Sequence, residues 1–210
     1  MKKRFIFDLD GTLMHADFSK EKEYFKSILS EDEEKIFVPR IFPLLLEYED
    51  LFTRYDERLL SKFMTEKSGV LITEGMVKEW IDVNSNLDDT LVDGIVDVLE
   101  YLKSKDKSLV VLSNWFSKGQ MKRLENSGIL KYFDNVFGGE YFLKPCKESY
   151  FRAIGNYDVS SCVMIGDTLE KDVIVPRKYG IESVYYNELG SSNEYNEAGI
   201  KKMIKIKEMY

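Results

Sequence analysis

The sequence predicts an α/β protein with an open parallel sheet, helices on both faces of that sheet, and a small all-helical segment inserted after the first strand. Short apolar runs recur along the second half of the chain, and segments with helical spacing separate them. Such alternation of strand and helix is typical of parallel sheets covered by helices. Residues 15–88 instead carry only helical periodicity, which sets them apart from the sheet.

The first strand is the apolar run Arg4–Phe7, and the second is Leu109–Leu112. A helix is expected over Lys118–Asn126, since Gly128 is typical of the position just beyond a helix. The remaining expected elements are a weak strand at 136–137, a helix around 150–154, strands at 162–165 and 183–186, and a polar C-terminal helix.

The inserted segment has its own apolar stripe, formed by Ile41, Leu44, Leu45 and Tyr48. Proline fits the first turn of a helix and not its interior, so the two prolines of this segment divide or start helices. The segment ends in a polar, turn-prone stretch. We therefore predict a core made of residues 1–14 and 89–210, with a helical domain of residues 15–88 between them.

The composition limits the possible partners of this protein. Its 30 basic and 37 acidic residues give a net charge of −7, which makes binding to a nucleic-acid backbone an unfavoured function. No stretch approaches the roughly 18 apolar residues of a membrane span, and Asp8 and Asp10 interrupt the only apolar run near the start. We expect a cytoplasmic protein, a monomer or weak dimer, that binds neither nucleic acid nor membrane.

Polar residues follow the predicted strands at the places where these strands end. Asp8 and Asp10 follow the first strand, Ser113 and Asn114 follow the second, and Asp167 follows the strand at 162–165. The carboxyl ends of strands in an open α/β sheet are where ligands bind. We therefore expect these side chains to form one site. Three further residues of the same segments are Lys144, Gly11 and Asp172.

These four segments, in this order, resemble the motifs of the haloacid dehalogenase-like hydrolase superfamily. The chain carries an Asp-x-Asp-Gly-Thr strand end, a serine at a strand end, a lysine, and a Gly-Asp-x-x-x-x-Asp segment. The resemblance covers residues 1–14 and 89–190. It implies a Rossmann-like core, with the helical insert in the position of that family's small cap domain.

The resemblance also implies an activity, that of a phosphatase acting on a small phosphorylated metabolite through an aspartyl-phosphate. Asp8 is the expected nucleophile, and Asp10 the general acid that protonates the leaving oxygen and then the base that deprotonates water. Mg²⁺ suits an oxygen-rich site and keeps several waters. Its expected ligands are the carboxylates of Asp8 and Asp167 and, by analogy, the main-chain carbonyl of Asp10.

The other residues of the predicted site position the phosphoryl group or its surroundings. Ser113 and Asn114 are expected to donate hydrogen bonds to phosphoryl oxygens, and Lys144 to supply positive charge to nucleophile and phosphate together. Asp172 is expected to support the metal shell or to pair with Lys144. Gly11 permits a tight backbone path, and Thr12 helps to fix the loop.

Two alternative functions stay open at this point. A phosphosugar mutase uses the same paired aspartates, whereas a dehalogenase requires neither the acid/base residue Asp10 nor a metal. A non-catalytic relative that binds a phosphorylated ligand or a protein partner is the second alternative, although Asp8 and Asp167 are both present.

Overall fold

In the computed structural model, which describes residues 2–193, 195 and 197–210, five strands form one parallel sheet. In their order across the sheet, the strands are β5 (Asn135–Phe137), β4 (Ser108–Leu112), β1 (Arg4–Phe7), β6 (Cys162–Gly166) and β7 (Glu182–Tyr185). The predicted parallel sheet is therefore confirmed. The chain crosses from one side of β1 to the other between β5 and β6, and such a switch point is where open α/β sheets bind ligands.

The three central strands are buried on both faces because their apolar side chains alternate between two clusters. Phe5 and Phe7 point to one face of the sheet and Ile6 to the other. The same alternation holds along β4 and β6. Continuous apolar runs in these strands are explained by this two-sided burial.

Helices cover both faces of the sheet, as predicted. One face packs against the apolar stripe of α6 (Ile95–Ser104) and against α7 (Ser117–Asn126), and the other against α8 (Lys147–Ile154). A π-helical turn (Leu169–Ile174) follows β6 and leads directly into the short helix α9 (Val175–Lys178). Short 3₁₀ turns lie at Leu130–Tyr132 and Val159–Ser161.

The C-terminal segment differs from the prediction of a polar helix. It contains only a 3₁₀ turn (Met203–Lys205) and one four-residue helix, α10 (Ile206–Met209). The side chains of Met203 and Ile206 are fully buried in the cluster that contains the α6 stripe. The many lysines of this segment led to the prediction of a polar helix, whereas its packing depends on these two apolar residues.

The segment between the first two strands of the sheet is helical, as predicted. Its helices are α1 (Ser19–Ile28), α2 (Glu31–Phe37), α3 (Ile41–Leu51), α4 (Glu57–Ser68) and α5 (Glu74–Asn84), with a 3₁₀ turn at Val38–Arg40. Ser30, Asp56 and Thr73 cap the amino ends of α2, α4 and α5. The helices share an apolar cluster of their own, which also receives Phe116 and Leu143 from the sheet domain.

A two-stranded ribbon joins this helical segment to the rest of the chain. Strand β2 (Met14–His15) pairs antiparallel with β3 (Thr90–Leu91). The chain therefore enters and leaves the helical segment side by side. In the part of the chain that the structure describes, none of the helices combines the length and the apolar character that a membrane-spanning helix needs.

Candidate active site

The candidate active site lies at the carboxyl ends of the three central strands. Asp8 directly follows β1, Ser113 directly follows β4, and Asp167 directly follows β6. Because these strands are neighbours and parallel, their ends meet at one edge of the sheet. The structure thus brings together residues that are more than a hundred positions apart in the sequence.

Three carboxylates form the centre of this site. Asp8, Asp167 and Asp172 each offer an oxygen atom, and these atoms lie within 4.8 Å of one another. Asp172 belongs to the π-helical turn after β6 and is fully buried. Its Oδ2 accepts a hydrogen bond of 3.0 Å from the backbone N–H of Thr168, which fixes the carboxylate inside the loop.

Lys144 connects two of these carboxylates. Its Nζ lies 2.5 Å from Oδ1 of Asp8 and 2.7 Å from Oδ1 of Asp172. Burial alone would lower the pKa of Lys144, but the two carboxylates raise it above its ordinary value, so the ammonium stays charged. Asp172 thus pairs with Lys144, as one of its two predicted roles requires, and it also stands among the possible metal ligands.

The pKa values of Asp8 and Asp167 are raised, which shifts both groups toward the protonated form. Burial raises the pKa of Asp8 well above its ordinary value, and although Lys144 lowers it, the charge of Asp172 adds to the increase. Burial and the charge of Asp172 raise the pKa of Asp167 to about 6. A further cation beside these carboxylates would stabilise their ionised forms.

The donor atoms at this site fit a hard divalent cation such as Mg²⁺. Oδ1 of Asp167 is buried and accepts no hydrogen bond from any described residue. A buried carboxylate oxygen without a partner is costly, and a cation satisfies it. Mg²⁺ prefers oxygen ligands and is commonly held by one or two carboxylates and several waters. Asp8 and Asp167, with Asp172 as a third candidate, are the residues that would hold it.

Gly11 lies directly against Asp167. Its φ is +73°, a left-handed conformation that disfavours any residue with a Cβ atom. Thr12, which follows it, is fully buried, and its hydroxyl oxygen has no hydrogen-bond partner among the described residues. Gly11 thus has the tight path that was predicted, whereas the Thr12 hydroxyl forms no bond that would fix the loop.

Ser113 and Asn114 differ in what they can offer to a phosphoryl group. Oγ of Ser113 accepts a hydrogen bond of 2.8 Å from Nε2 of Gln120, which leaves its own O–H able to donate. Nδ2 of Asn114 donates to Oε2 of Glu49 at 2.8 Å and to the carbonyl oxygen of Lys144 at 3.1 Å. Its Oδ1 accepts from the N–H of Lys144 at 2.7 Å. The Asn114 amide therefore holds the loop that carries Lys144.

Asp10 lines the same cavity as Asp8 and Asp167 and also contacts α7. Its Oδ1 accepts a hydrogen bond of 2.6 Å from Nη2 of Arg123. The sequence reasoning missed Arg123, together with its partners Asp89 and Gln120. One signal was present, since Gln120 and Arg123 stand beside the apolar Leu124 on the face by which α7 packs.

A cavity of about 820 Å³ lies over the site. Its floor contains the residues of the strand ends, and its wall comes from the helical segment, including the apolar side chains of Phe18, Phe42 and Leu46. This volume is within the range of sites for small organic ligands. The cavity therefore combines a charged floor with a largely apolar wall.

Glu49, also missed by the sequence reasoning, joins the wall to the floor. Besides the bond from Asn114, its Oε2 accepts a hydrogen bond of 2.6 Å from Nζ of Lys171, which lies in the turn after β6. Its Oε1 accepts one of 2.9 Å from the hydroxyl of Tyr55. These contacts tie α3 to two loops of the sheet domain.

The fold, the order of the strand-end residues and the carboxylate cluster define a hydrolase of the haloacid dehalogenase-like class. A family model described as haloacid dehalogenase-like hydrolase matches residues 2–180. The chain belongs to this family, and the resemblance drawn from its four motifs is confirmed.

Individual relatives differ in their activities. The pyrimidine 5'-nucleotidase PynA of Streptococcus pneumoniae is 26% identical over 203 residues, covering 88% of this chain and 84% of the relative. The crystal structure of the HAD-hydrolase YfnB of Bacillus subtilis, bound to magnesium, has a TM-score of 0.73, 21% identity, and coverage of 99% and 98%. The L-2-haloacid dehalogenase of Xanthobacter autotrophicus has a TM-score of 0.71, 16% identity, and coverage of 100% and 98%. At these identities the two structures show the fold alone.

Proposed function

We propose that this protein is a Mg²⁺-dependent phosphatase that hydrolyses a small phosphorylated metabolite through an aspartyl-phosphate on Asp8. The observation that carries the proposal is the convergence of Asp8, Asp167 and Asp172 within 4.8 Å, with Lys144 Nζ 2.5 Å from Asp8. Mg²⁺ held by Asp8 and Asp167 would supply positive charge that offsets the repulsion between the carboxylates and the incoming phosphoryl oxygens. Residues 15–88 serve as a cap that supplies the wall of the cavity.

In the first step, a carboxylate oxygen of Asp8 attacks phosphorus, and the bond from phosphorus to the leaving oxygen breaks. Asp10 donates a proton to that oxygen, so the alcohol leaves neutral. The ammonium of Lys144 and the hydroxyl of Ser113 hold the phosphoryl oxygens in line with Asp8. Asn114 contributes by fixing the loop of Lys144.

In the second step, Asp10 takes a proton from water, and the resulting hydroxide oxygen attacks the phosphorus of the aspartyl-phosphate. The bond between phosphorus and the Asp8 oxygen breaks, which releases inorganic phosphate and restores both aspartates. The side chain of Asp10 is 41% exposed, so water and substrate can reach it. One residue thus serves both half-reactions.

The acid/base residue favours phosphoryl transfer over dehalogenation. Hydrolytic dehalogenation releases a halide, which needs no proton, and it needs no metal. Here a second aspartate stands two residues after the nucleophile, and Asp167 has a buried oxygen that lacks a partner among the described residues. A proton donor for the leaving group and a metal ligand both serve a phosphatase, whereas the departure of a halide uses neither.

For the substrate we propose the nucleoside 5'-monophosphates. PynA, a relative matched over 88% of this chain, is named a pyrimidine 5'-nucleotidase. The cavity of about 820 Å³ has room for a nucleotide, and apolar side chains such as Phe42 line its wall opposite the charged floor. A phosphate on the floor and a flat base against the wall match this distribution.

A panel of substrates tests the proposal. Phosphate release is measured with pyrimidine and purine nucleoside monophosphates, sugar phosphates and phosphoglycolate, each with Mg²⁺ and with EDTA, and chloride release with L-2-chloropropionate. We expect Mg²⁺-dependent phosphate release, with the nucleotides turned over best, and no turnover by Asp8→Asn. Chloride release in EDTA, or activity retained by Asp8→Asn, would refute the proposed reaction, and transfer of phosphate between sugar positions would identify a mutase.

A further inference from the structure

Arg123 is a buried arginine in the last turn of α7. Its side chain is 3% exposed, and a guanidinium taken out of water is costly unless its donors are matched. Four hydrogen bonds use these donors, and their acceptors belong to three side chains, those of Asp10, Asp89 and Gln120. Burial alone would lower the pKa of Arg123, but Asp89 and Asp10 raise it, so the group is a permanent cation.

Asp89 orients the guanidinium. Nε and Nη2 of Arg123 each lie 2.8 Å from one oxygen of Asp89, which is the paired geometry that an arginine and a carboxylate favour. The carboxylate of Asp89 is itself 3% exposed, so the pair is shielded from water. Its position immediately before β3 anchors the pair beside the ribbon that leads to the helical segment.

The orientation set by Asp89 leaves one N–H of Nη2 for Asp10. This N–H reaches Oδ1 of Asp10 at 2.6 Å. Asp10 is otherwise accessible from the cavity. With Oδ1 held, Oδ2 is the oxygen left for proton transfer, and rotation of the carboxylate is restricted.

The same network reaches the phosphate-binding serine. Nη1 of Arg123 donates to Oε1 of Gln120 at 2.9 Å, and Nε2 of Gln120 donates to Oγ of Ser113 at 2.8 Å. Because Ser113 accepts this bond, its own proton is left to point elsewhere. One buried chain of hydrogen bonds thus orients the acid/base residue and the serine hydroxyl together.

We propose that Arg123, oriented by Asp89, is a positioning residue that holds Asp10 for proton transfer. This inference rests on the proposed function. A purely structural arginine would affect every substrate alike through folding. A positioning residue for the general acid instead affects substrates in proportion to their need for a proton on the leaving oxygen.

The test compares two classes of phosphate ester. A nucleoside monophosphate has a poor leaving group, which needs protonation, whereas 2,4-dinitrophenol leaves without a proton. For Arg123→Gln we expect kcat/KM to fall about 10- to 100-fold with the nucleotide, part of the 10²–10⁴-fold typical of a general acid. With 2,4-dinitrophenyl phosphate we expect a fall of less than about 3-fold, and a burst of dinitrophenol because the second step also needs Asp10.

Further variants keep the test decisive. Asp10→Asn is expected to show the same substrate pattern, and Asp10→Asn/Arg123→Gln little more loss than Asp10→Asn alone. Arg123→Lys retains the charge but cannot reach Asp89 and Asp10 together, so it replaces Arg123→Gln if that variant does not fold. Arg4→Gln serves as control, because Arg4 hydrogen-bonds to Ala153 and Ser108 at the opposite end of β1.

The possible outcomes separate the two proposals. Equal losses with both esters in Arg123→Gln and Arg123→Lys, or a further large loss on top of Asp10→Asn, would overturn the role of Arg123 while leaving the phosphatase intact. Undiminished activity of Asp8→Asn would overturn the phosphatase mechanism itself. The expected selective loss supports the inference.

Discussion

A Cβ atom on Gly11 would lie 2.2 Å from Oδ2 of Asp167. Real Cβ atoms do not approach an oxygen so closely, so no side chain fits at position 11 while Asp167 stays in place. The loop after the first strand and the carboxylate after β6 are thus in direct contact. Because Gly11 has no Cβ atom, the loop that follows Asp8 can pack directly against Asp167, and the two proposed metal ligands can lie close together.

The first prediction uses two glycines with nearly the same backbone conformation. Gly11 has a φ of +73° and Gly69, at the end of α4, a φ of +76°, but Gly69 has nothing within 4 Å of its Cβ position. Gly69→Ala should cost about 1 to 2 kcal/mol of stability, through strain alone, with activity unchanged. Gly11→Ala should bear the same strain and also displace Asp167.

For Gly11→Ala we therefore expect a loss of Mg²⁺ affinity of tenfold or more, measured from the Mg²⁺ dependence of phosphate release and of the melting temperature. Equal Mg²⁺ affinity in the two glycine variants would show that the contact between Gly11 and Asp167 has no bearing on the metal.

The second prediction concerns the pH dependence of metal binding. Asp167 has a pKa of about 6 in the folded protein, whereas its ordinary value is 3.8. Between these two pH values, the folded protein without metal therefore holds a proton on Asp167 that the unfolded chain has lost. Its contribution to stability is therefore greatest below about pH 4 and is lost as the pH rises through 6. Mg²⁺ must displace this proton at low pH.

The increase in melting temperature on adding Mg²⁺ should accordingly be small at pH 5 and larger at pH 7.5. Asp167→Asn should show little Mg²⁺-dependent increase at either pH. An equally large increase at both pH values in the unchanged protein would contradict the assignment of Asp167 as a ligand.

The third prediction concerns a buried acid in the wall of the cavity. Oε2 of Glu21 accepts hydrogen bonds from Nε1 of Trp80 at 2.6 Å and from Nδ2 of Asn84 at 3.0 Å. Burial raises the pKa of Glu21 above its ordinary value, although these two hydrogen bonds lower it. The folded state therefore favours the protonated acid, and stability falls as the pH rises from the ordinary value of 4.5 through the raised one.

Glu21→Gln keeps an oxygen for both donors and removes the titration. We expect this variant to be at least as stable as the unchanged protein at pH 7, and to lose less stability between pH 4.5 and 7 in urea titrations. Glu23→Gln, an exposed position on the same helix, is the control. A pH profile that is unchanged by Glu21→Gln would show that Glu21 does not titrate in this window.

The fourth prediction concerns the contact of α3 with the sheet domain. Glu49 and Lys171 form an ion pair whose side chains are 12% and 19% exposed, whereas Glu47 and Lys67 form a pair that is 43% exposed on both sides. A double-mutant cycle with Glu49→Gln and Lys171→Met should give a coupling of about 1 to 3 kcal/mol. The Glu47–Lys67 cycle should give at most about 0.5 kcal/mol, because water screens the exposed pair.

Denaturant unfolding measures both couplings. Similar values for the two pairs would mean that the Glu49 contact does not hold the wall of the cavity to its floor. If the same double-mutant cycle, measured through KM, also gives a coupling between Glu49 and Lys171, the contact persists when substrate is bound.

Local patterns carried most of what could be predicted from the sequence. The strand over Arg4–Phe7 could be predicted because a buried strand appears in the sequence as a short apolar run. The candidate site at Asp8 could be predicted because few residue types can act in phosphoryl transfer, and one of them directly follows this run. The prediction of a polar C-terminal helix was wrong because only two apolar residues, Met203 and Ile206, determine how that segment packs.

Pairings between distant segments were not readable in the same way. Arg123 reads as an ordinary polar residue of a helix, and its burial follows only from the positions of Asp10 and Asp89, which are 113 and 34 residues away. Likewise, Asn114 was expected to donate hydrogen bonds to phosphate. Its amide instead hydrogen-bonds to Glu49 and to the backbone of Lys144, and nothing in the neighbouring sequence indicates these partners. Such pairings depend on the packed structure.

The ribbon of β2 and β3 has a consequence for how this protein can change over time. The side chains proposed to make or break bonds all lie outside residues 15–88, the stretch that the ribbon encloses. The apolar side chains of the cavity wall, such as Phe42 and Leu46, lie within that stretch. Substitutions among the apolar wall residues, such as Phe42 and Leu46, can thus alter which compounds the cavity accepts without changing a group proposed to make or break bonds. Glu49, which contacts Asn114 and Lys171, is the position at which a change in the helical segment would also reach the proposed reaction.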